Sequence, residues 1–190
     1  MNLPNYITIS RIFTIPLVMW ILLSNRFSQA TGAKELLAAV LFVVASVTDA
    51  VDGYLARRRN QITTIGMLLD PLADKLMVTA AFVTLVQFNP RIVPAWMAVI
   101  IVGREFLVSG LRSIAAQQGF TIEASDLGKF KMVLQIVAVT AAILDARWAV
   151  WQRGWFIFPM ELIARFSMGA MVALSLWSAG DYFAAFWSKI

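Results

Sequence analysis

The sequence predicts an all-α protein, an integral membrane bundle of six transmembrane helices in one domain over residues 1–190. Three observations carry that expectation. Of the 190 residues, 60% are hydrophobic and the mean hydropathy is +0.75, whereas soluble domains are nearer half apolar. The excess falls in long blocks, each close to the roughly 20 residues that a helix needs to cross a bilayer. Polar residues gather in short links between the blocks.

The first span is read at Ile7–Leu23. Met1–Ser10 carries no positive charge, so this segment reads as a retained span and not as a cleavable signal. A polar loop, Ser24–Lys34, leads to a second span at Glu35–Ala56. The third, Gly66–Phe88, is ended by Asn89-Pro90, a helix-breaking pair. The fourth is Val93–Ala116, and Gln117–Ser125 is a polar connection. The fifth is Asp126–Leu144, with Asp126 as its cap, and the sixth is Trp155–Trp177. The aromatic tail to Ile190 is expected to lie along a membrane interface. In the sixth span Glu161 and Arg165 are four apart, which suggests an internal ion pair.

Basic residues set the orientation. With the N-terminus in the cytoplasm, one side collects Arg11, Arg57, Arg58, Arg59, Arg104, Arg112, Lys129, Lys131 and Lys189. The other side receives Arg26, Lys34, Arg91, Arg147 and Arg153. Positive residues favour the cytoplasmic side, so both termini are expected there. Trp96, Trp148, Trp151 and Trp155 would form an outer aromatic belt, and Trp177, Tyr182 and Trp187 an inner one.

Composition removes several chemistries. There is no cysteine and no histidine. Disulfides, thiolate chemistry, imidazole ligands and a phosphohistidine intermediate are therefore excluded. The net charge is +5, but no basic run exceeds Arg57-Arg58-Arg59, so nucleic acid is not expected as a partner. The positive charge suits anionic lipid headgroups.

Residues 49–74 hold the chemistry. They follow the pattern D-x2-D-G-x2-A-R-x8-G-x3-D-x3-D, filled by Asp49, Asp52, Gly53, Ala56, Arg57, Gly66, Asp70 and Asp74. Asp49 and Asp52 are three apart on the second helix, and Asp70 and Asp74 are four apart on the third. Each pair therefore shares a face, and the two faces can meet across a crevice between the helices. Leu36 lies 13 residues before Asp49, roughly 20 Å of helix, which puts the cluster near the cytoplasmic edge of the hydrocarbon. Four close carboxylates repel unless neutralised. Oxygen-only donors suit Mg2+, Mn2+ or Ca2+, and two such ions can clamp a diphosphate. The small Gly53, Ala56 and Gly66 let a flat base or a phosphate approach the backbone, and Arg57 can fork onto phosphate oxygens. The plainer alternative is that the aspartates pair with Arg57–Arg59 and Lys75 to hold helices together. Asp70 ahead of Pro71 also fits a helix N-cap.

The complete motif resembles the signature of the CDP-alcohol phosphotransferases, membrane enzymes that make phospholipid headgroups. Eight fixed residues over 26 positions make it specific. The resemblance implies that Asp49, Asp52, Asp70 and Asp74 hold two divalent cations per site, Mg2+ first with Mn2+ as the alternative. It implies Asp74 as the general base. Asp49, Asp52, Gly53, Ala56, Arg57 and Gly66 would contact the CDP group.

Three further segments resemble bacterial members of the family that pass a phosphatidyl group from CDP-diacylglycerol to glycerol 3-phosphate. They are N-L-P-N-Y-I-T-I-S-R at the start, G-R-E-F-L-V-S-G-L-R at 103–112 and G-K-F-K-M at 128–132. This likeness implies a bacterial cytoplasmic (inner) membrane, an active site facing the cytoplasm and a homodimer. Met132 departs from it, since a small polar residue such as Thr is expected there. The residues agree independently. Arg104 and Arg112 are eight apart, about two turns, so they share a face of the fourth helix. With Lys129 and Lys131 at the start of the fifth, they can form a basic pocket for an anionic acceptor. Positive-inside topology alone is the plainer reading of these four. Asn5, Thr8 and Arg11 are candidates for the mouth of the site, and Glu105 reads as a local partner of Arg104. Rival readings are the same family with serine, inositol phosphate or phosphatidylglycerol as acceptor, a divalent-cation transporter, and a non-catalytic membrane scaffold.

Overall fold

The computed structural model describes residues 3–24, 32–58, 64–122, 127–153 and 156–189. For 3–12, 49–58, 64–71, 127–129, 151–153 and 156 it describes the backbone alone. Among the described residues six helices run in chain order: α1 Leu3–Leu23, α2 Ala33–Arg58, α3 Thr64–Phe88, α4 Ala95–Gln117, α5 Leu127–Asp145 and α6 Met160–Trp187. All-α architecture thus holds, apart from a short antiparallel hairpin between α5 and α6. Its strands, β1 Trp151–Arg153 and β2 Phe156–Phe158, pair Trp151 with Phe158 and Arg153 with Phe156.

The shortest helix has 19 residues and the longest 28, so they measure roughly 28 to 42 Å at 1.5 Å per residue. Among the described residues, α6 is the one helix both long and apolar enough to cross a membrane, and Phe13–Leu23 is a shorter apolar run. In α4, Arg104, Glu105 and Arg112 interrupt the apolar stretch.

Two expected boundaries are corrected. The sixth helix starts at Met160, because Trp151–Arg153 and Phe156–Phe158 pair as strands, and it continues to Trp187. The tail expected to lie along an interface is the last part of that helix. The third helix starts at Thr64, so Asp70 lies inside it and is not its N-cap.

The main core is built where α5 packs on α6, α1 on α2 and α3, and α2 on α5. Phe82, Leu85, Ile101, Ile143, Met168 and Met171 are its largest fully buried side chains. A smaller cluster joins α4 to the end of α6 through Val108, Ala115, Ile122, Tyr182 and Phe186. Outside these, large apolar side chains face outward: Phe13, Val99, Phe166, Trp177 and Trp187 are each at least 67% exposed. Water would penalise such a surface, whereas lipid does not.

Backbone turns fix the ends. Past α4, Gly119 adopts φ +83°. Its N–H donates to the Ala116 carbonyl at 3.2 Å, and that of Phe120 donates to Ala115 at 3.1 Å. This is the Schellman closure of a helix, and it turns Phe120 back against Phe186, with ring centroids 5.9 Å apart. Ahead of α2, Gly32 has φ +65°. A Cβ there would lie 2.3 Å from the Trp148 ring. Trp148 therefore packs onto the start of α2 and is partly buried against the core, which removes it from the expected outer belt. Tyr182 is buried too, so it leaves the inner one. Trp96, Trp177 and Trp187 stay exposed; the side chains of Trp151 and Trp155 lie outside the described residues.

A polar lock ties α3 to α5. The Asn89 amide donates to the Ala142 carbonyl and to Asp145 Oδ2, each at 3.0 Å. Arg91 reaches the same Oδ2 at 3.2 Å. The Glu161–Arg165 pair forms at 3.1 Å but on the surface of α6, with exposures of 38% and 52%, and so is not internal.

Candidate active site

The aspartate motif occupies two continuous helices. Asp49, Asp52, Gly53, Ala56 and Arg57 lie on α2, and Gly66, Asp70 and Asp74 on α3. Among the described residues, α2 packs mainly against α1 and α5, and α3 against α1, α4 and α5.

Two cavities adjoin at Asp74. One, of about 240 Å3, has Ser46 of α2, Asp74 of α3 and Gln135 of α5 on its walls. Ser46 precedes Asp49 by three residues, one helical turn, so both acidic helices border a shared space. Met132 also faces this cavity. The other is larger, about 670 Å3, and is walled by α3, α4, α5, α6 and the turn after α4. Asp74, Lys75, Arg104, Arg112 and Lys131 all line it. Asp74, Glu105 and Lys131 border both cavities.

Charge in the larger cavity is organised by two groups. Glu105 Oε1 accepts a hydrogen bond from Arg104 at 3.2 Å and another from Lys131 Nζ. Glu105 thus joins α4 to α5 and is more than a local partner of Arg104. Ser178 Oγ on α6 accepts from the second terminal nitrogen of Arg104. Among the described residues the buried Arg104 Nε has no hydrogen-bond partner, which suits it to an anionic group. Arg112 is exposed within the cavity. Lys75 lies 6.0 Å from the Phe106 ring centroid.

Of the residues singled out from sequence, Asp74, Arg104, Arg112 and Lys131 come together. The side chains of Asp49, Asp52, Gly53, Ala56, Arg57, Gly66, Asp70 and Lys129 lie outside the described residues, as do those of Asn5, Thr8 and Arg11 and the cap at Asp126. Sequence reading missed Ser178 and Tyr182, which wall the larger cavity from α6. Their signal is present: Ser167, Ser175, Ser178 and Tyr182 are polar positions buried on one helical stripe of a mostly apolar helix. The polar connection after α4 also contributes, since Phe120, Thr121 and Ile122 border the cavity.

The donor set fits hard divalent cations by its chemistry. It offers carboxylate oxygens at helical spacings of three and four and no histidine or cysteine, and such oxygen ligands are what Mg2+ and Mn2+ take. Among the described residues no group of three candidate ligands is gathered; of the four aspartates, only the side chain of Asp74 is described.

A family model for CDP-alcohol phosphatidyltransferase matches residues 1–179. The chain is 40% identical to the CDP-diacylglycerol–glycerol-3-phosphate 3-phosphatidyltransferase of Bacillus subtilis, over 100% of this chain and 97% of that one. It is 35% identical to the protein of the same name from Rickettsia bellii and 33% to that from Escherichia coli, in each case over 97% of this chain and 94% of the relative. Eight fixed residues on two consecutive helices, and a match over nearly the whole length, agree: the chain belongs to the CDP-alcohol phosphatidyltransferase family.

Proposed function

We propose that this protein transfers the phosphatidyl group from CDP-diacylglycerol to glycerol 3-phosphate, giving phosphatidylglycerophosphate and CMP. The observation that carries the reading is the cavity where Asp74 stands beside Arg104, Arg112 and Lys131. An acid that can take a proton and cations that can hold a phosphate share one space. The curated relatives bear the name of this activity.

Each residue then has a task. The basic side chains, with Lys129, hold the acceptor's phosphate. This orients its 1-hydroxyl toward the phosphorus that bears diacylglycerol. Asp74 takes the hydroxyl proton. The new O–P bond forms as the bond to the CMP oxygen breaks, and CMP leaves. Gly53, Ala56, Arg57 and Gly66 contact the cytidine diphosphate. Asp49, Asp52, Asp70 and Asp74 would hold two divalent cations, Mg2+ or Mn2+, which when bound offset the diphosphate's charge. With neither cysteine nor histidine in the chain, direct displacement is the favoured route.

Six membrane crossings are part of the proposal. Helix lengths, the outward apolar rings and the oriented basic residues support them. In this reading the site faces the cytoplasm from a bacterial inner membrane, and both termini are on that side. A homodimer rests on the family resemblance.

The test is CMP release from CDP-diacylglycerol in detergent micelles, with and without glycerol 3-phosphate and with and without Mg2+. Release that requires both is expected. Asp74→Asn should lower turnover by about 1,000-fold or more while the protein stays folded; CMP release that persists in this variant removes Asp74 from the role.

A further inference from the structure

A carboxylate inside an anion-binding cavity is at first sight a poor choice. Glu105 opposes the phosphate that the cavity is proposed to bind, and its side chain is only 17% exposed. The contacts explain why it is there. Its Oε1 accepts from Lys131 on α5 and from Arg104 on α4. Arg104 has a second anchor in Ser178, so its place does not depend on Glu105 alone. Lys131 is different: it is a flexible stem ending in a rotatable ammonium, 15% exposed and held at Glu105. The held ammonium stands at the junction of the two cavities, since Lys131, Glu105 and Asp74 border both. Lys131 also lies within electrostatic reach of Asp74.

Resting on the function proposed above, we infer that Glu105 is a positioning residue for the phosphorylated acceptor, and that it acts by fixing the Lys131 ammonium at the junction of the two cavities. Lysine uses one of its three N–H donors on Glu105 and keeps two for the acceptor's phosphate. The cation is placed before the acceptor arrives, so less order is lost on binding.

The direction of the effect separates this role from simple charge dilution. If Glu105 only weakened the positive potential, Glu105→Gln would tighten the acceptor. If it places Lys131, the same substitution loosens it. The experiment measures KM for glycerol 3-phosphate and for CDP-diacylglycerol in wild type, Glu105→Gln, Lys131→Met and the double variant, with thermal unfolding recorded for each. Glu105→Gln is expected to raise KM for glycerol 3-phosphate about tenfold, about 1.4 kcal/mol of lost acceptor binding, with KM for CDP-diacylglycerol unchanged. Lys131→Met should do the same, and the double variant should match Lys131→Met. An acceptor KM that falls or stays put in Glu105→Gln overturns the inference, as does a double variant clearly worse than Lys131→Met. That second comparison stands even where Glu105→Gln alone leaves a buried unpaired cation and does not fold. Wild-type CMP release indifferent to glycerol 3-phosphate removes the acceptor reading, and this inference falls with it. Normal wild-type dependence combined with an unmoved acceptor KM removes the inference alone.

Discussion

At the residue scale, two glycines test the backbone account because they differ in one respect. Both have positive φ, a conformation that costs an L side chain about 1–2 kcal/mol. Gly119 has open space around it, whereas a Cβ at Gly32 meets Trp148 at 2.3 Å. Gly119→Ala should therefore lower stability by about 1 kcal/mol. Gly32→Ala should cost more, and Trp148→Ala added to it should recover part of the excess. Thermal unfolding in detergent ranks the variants, and equal losses at the two glycines would contradict the packing of Trp148. The same scale shows what could be read from sequence alone. Asp74, Arg104, Arg112 and Lys131 stand out because charge is rare in apolar helices and its spacing is helical. Glu105 was seen only as the neighbour of Arg104, since its other partner, Lys131, lies 26 positions away. Gly32 and Trp148 are likewise coupled through a contact that no local pattern announces.

At the element scale, α6 contributes more to the site than its composition suggests. Ser178 holds Arg104, and Tyr182 walls the cavity. Ser178→Ala should raise KM for glycerol 3-phosphate by about tenfold, the equivalent of roughly 1.4 kcal/mol, with KM for CDP-diacylglycerol unchanged. A shift in the donor KM alone would place α6 in a different task. At the other end of the bundle, Asn89 joins α3 to α5 through the fully buried Asp145 side chain. Asn89→Ala leaves buried acceptors with fewer partners and should cost about 1–3 kcal/mol. Arg91→Ala should cost less than about 1 kcal/mol, because Arg91 is 57% exposed. The unfolding temperatures of the two variants check the order. The bounds of the first five helices were legible to within a few residues, as long apolar blocks fix where each helix must lie, whereas the sixth starts later than expected and runs on to Trp187. The hairpin was not: Trp151–Phe158 is aromatic enough to merge with the sixth apolar block, and the turn signal of Gly154 is outweighed. Asp70-Pro71 misled in the opposite sense, since a cap sequence sits inside a helix that had already begun at Thr64.

At the scale of the whole molecule, the bundle brings chemistry from distant parts of the chain to one end. Asp74 lies 15 residues before Asn89 on α3, so the site and the polar lock are separated by roughly 22 Å of helix. The outward apolar surface and the inward charges fit a protein whose solvent is lipid around the middle and water at the ends. It follows that the protein should stay in the membrane fraction after alkaline carbonate extraction, and release into the supernatant would contradict six crossings. In the proposed reaction one cavity serves both the acceptor's phosphate and the proton of its hydroxyl. This is tested most directly by supplying labelled glycerol 3-phosphate to the protein in vesicles containing CDP-diacylglycerol. One lipid-soluble label is expected for each CMP released, and neither product with Asp74→Asn. CMP formed without label entering the lipid, or label entering it with Asp74→Asn, would contradict it.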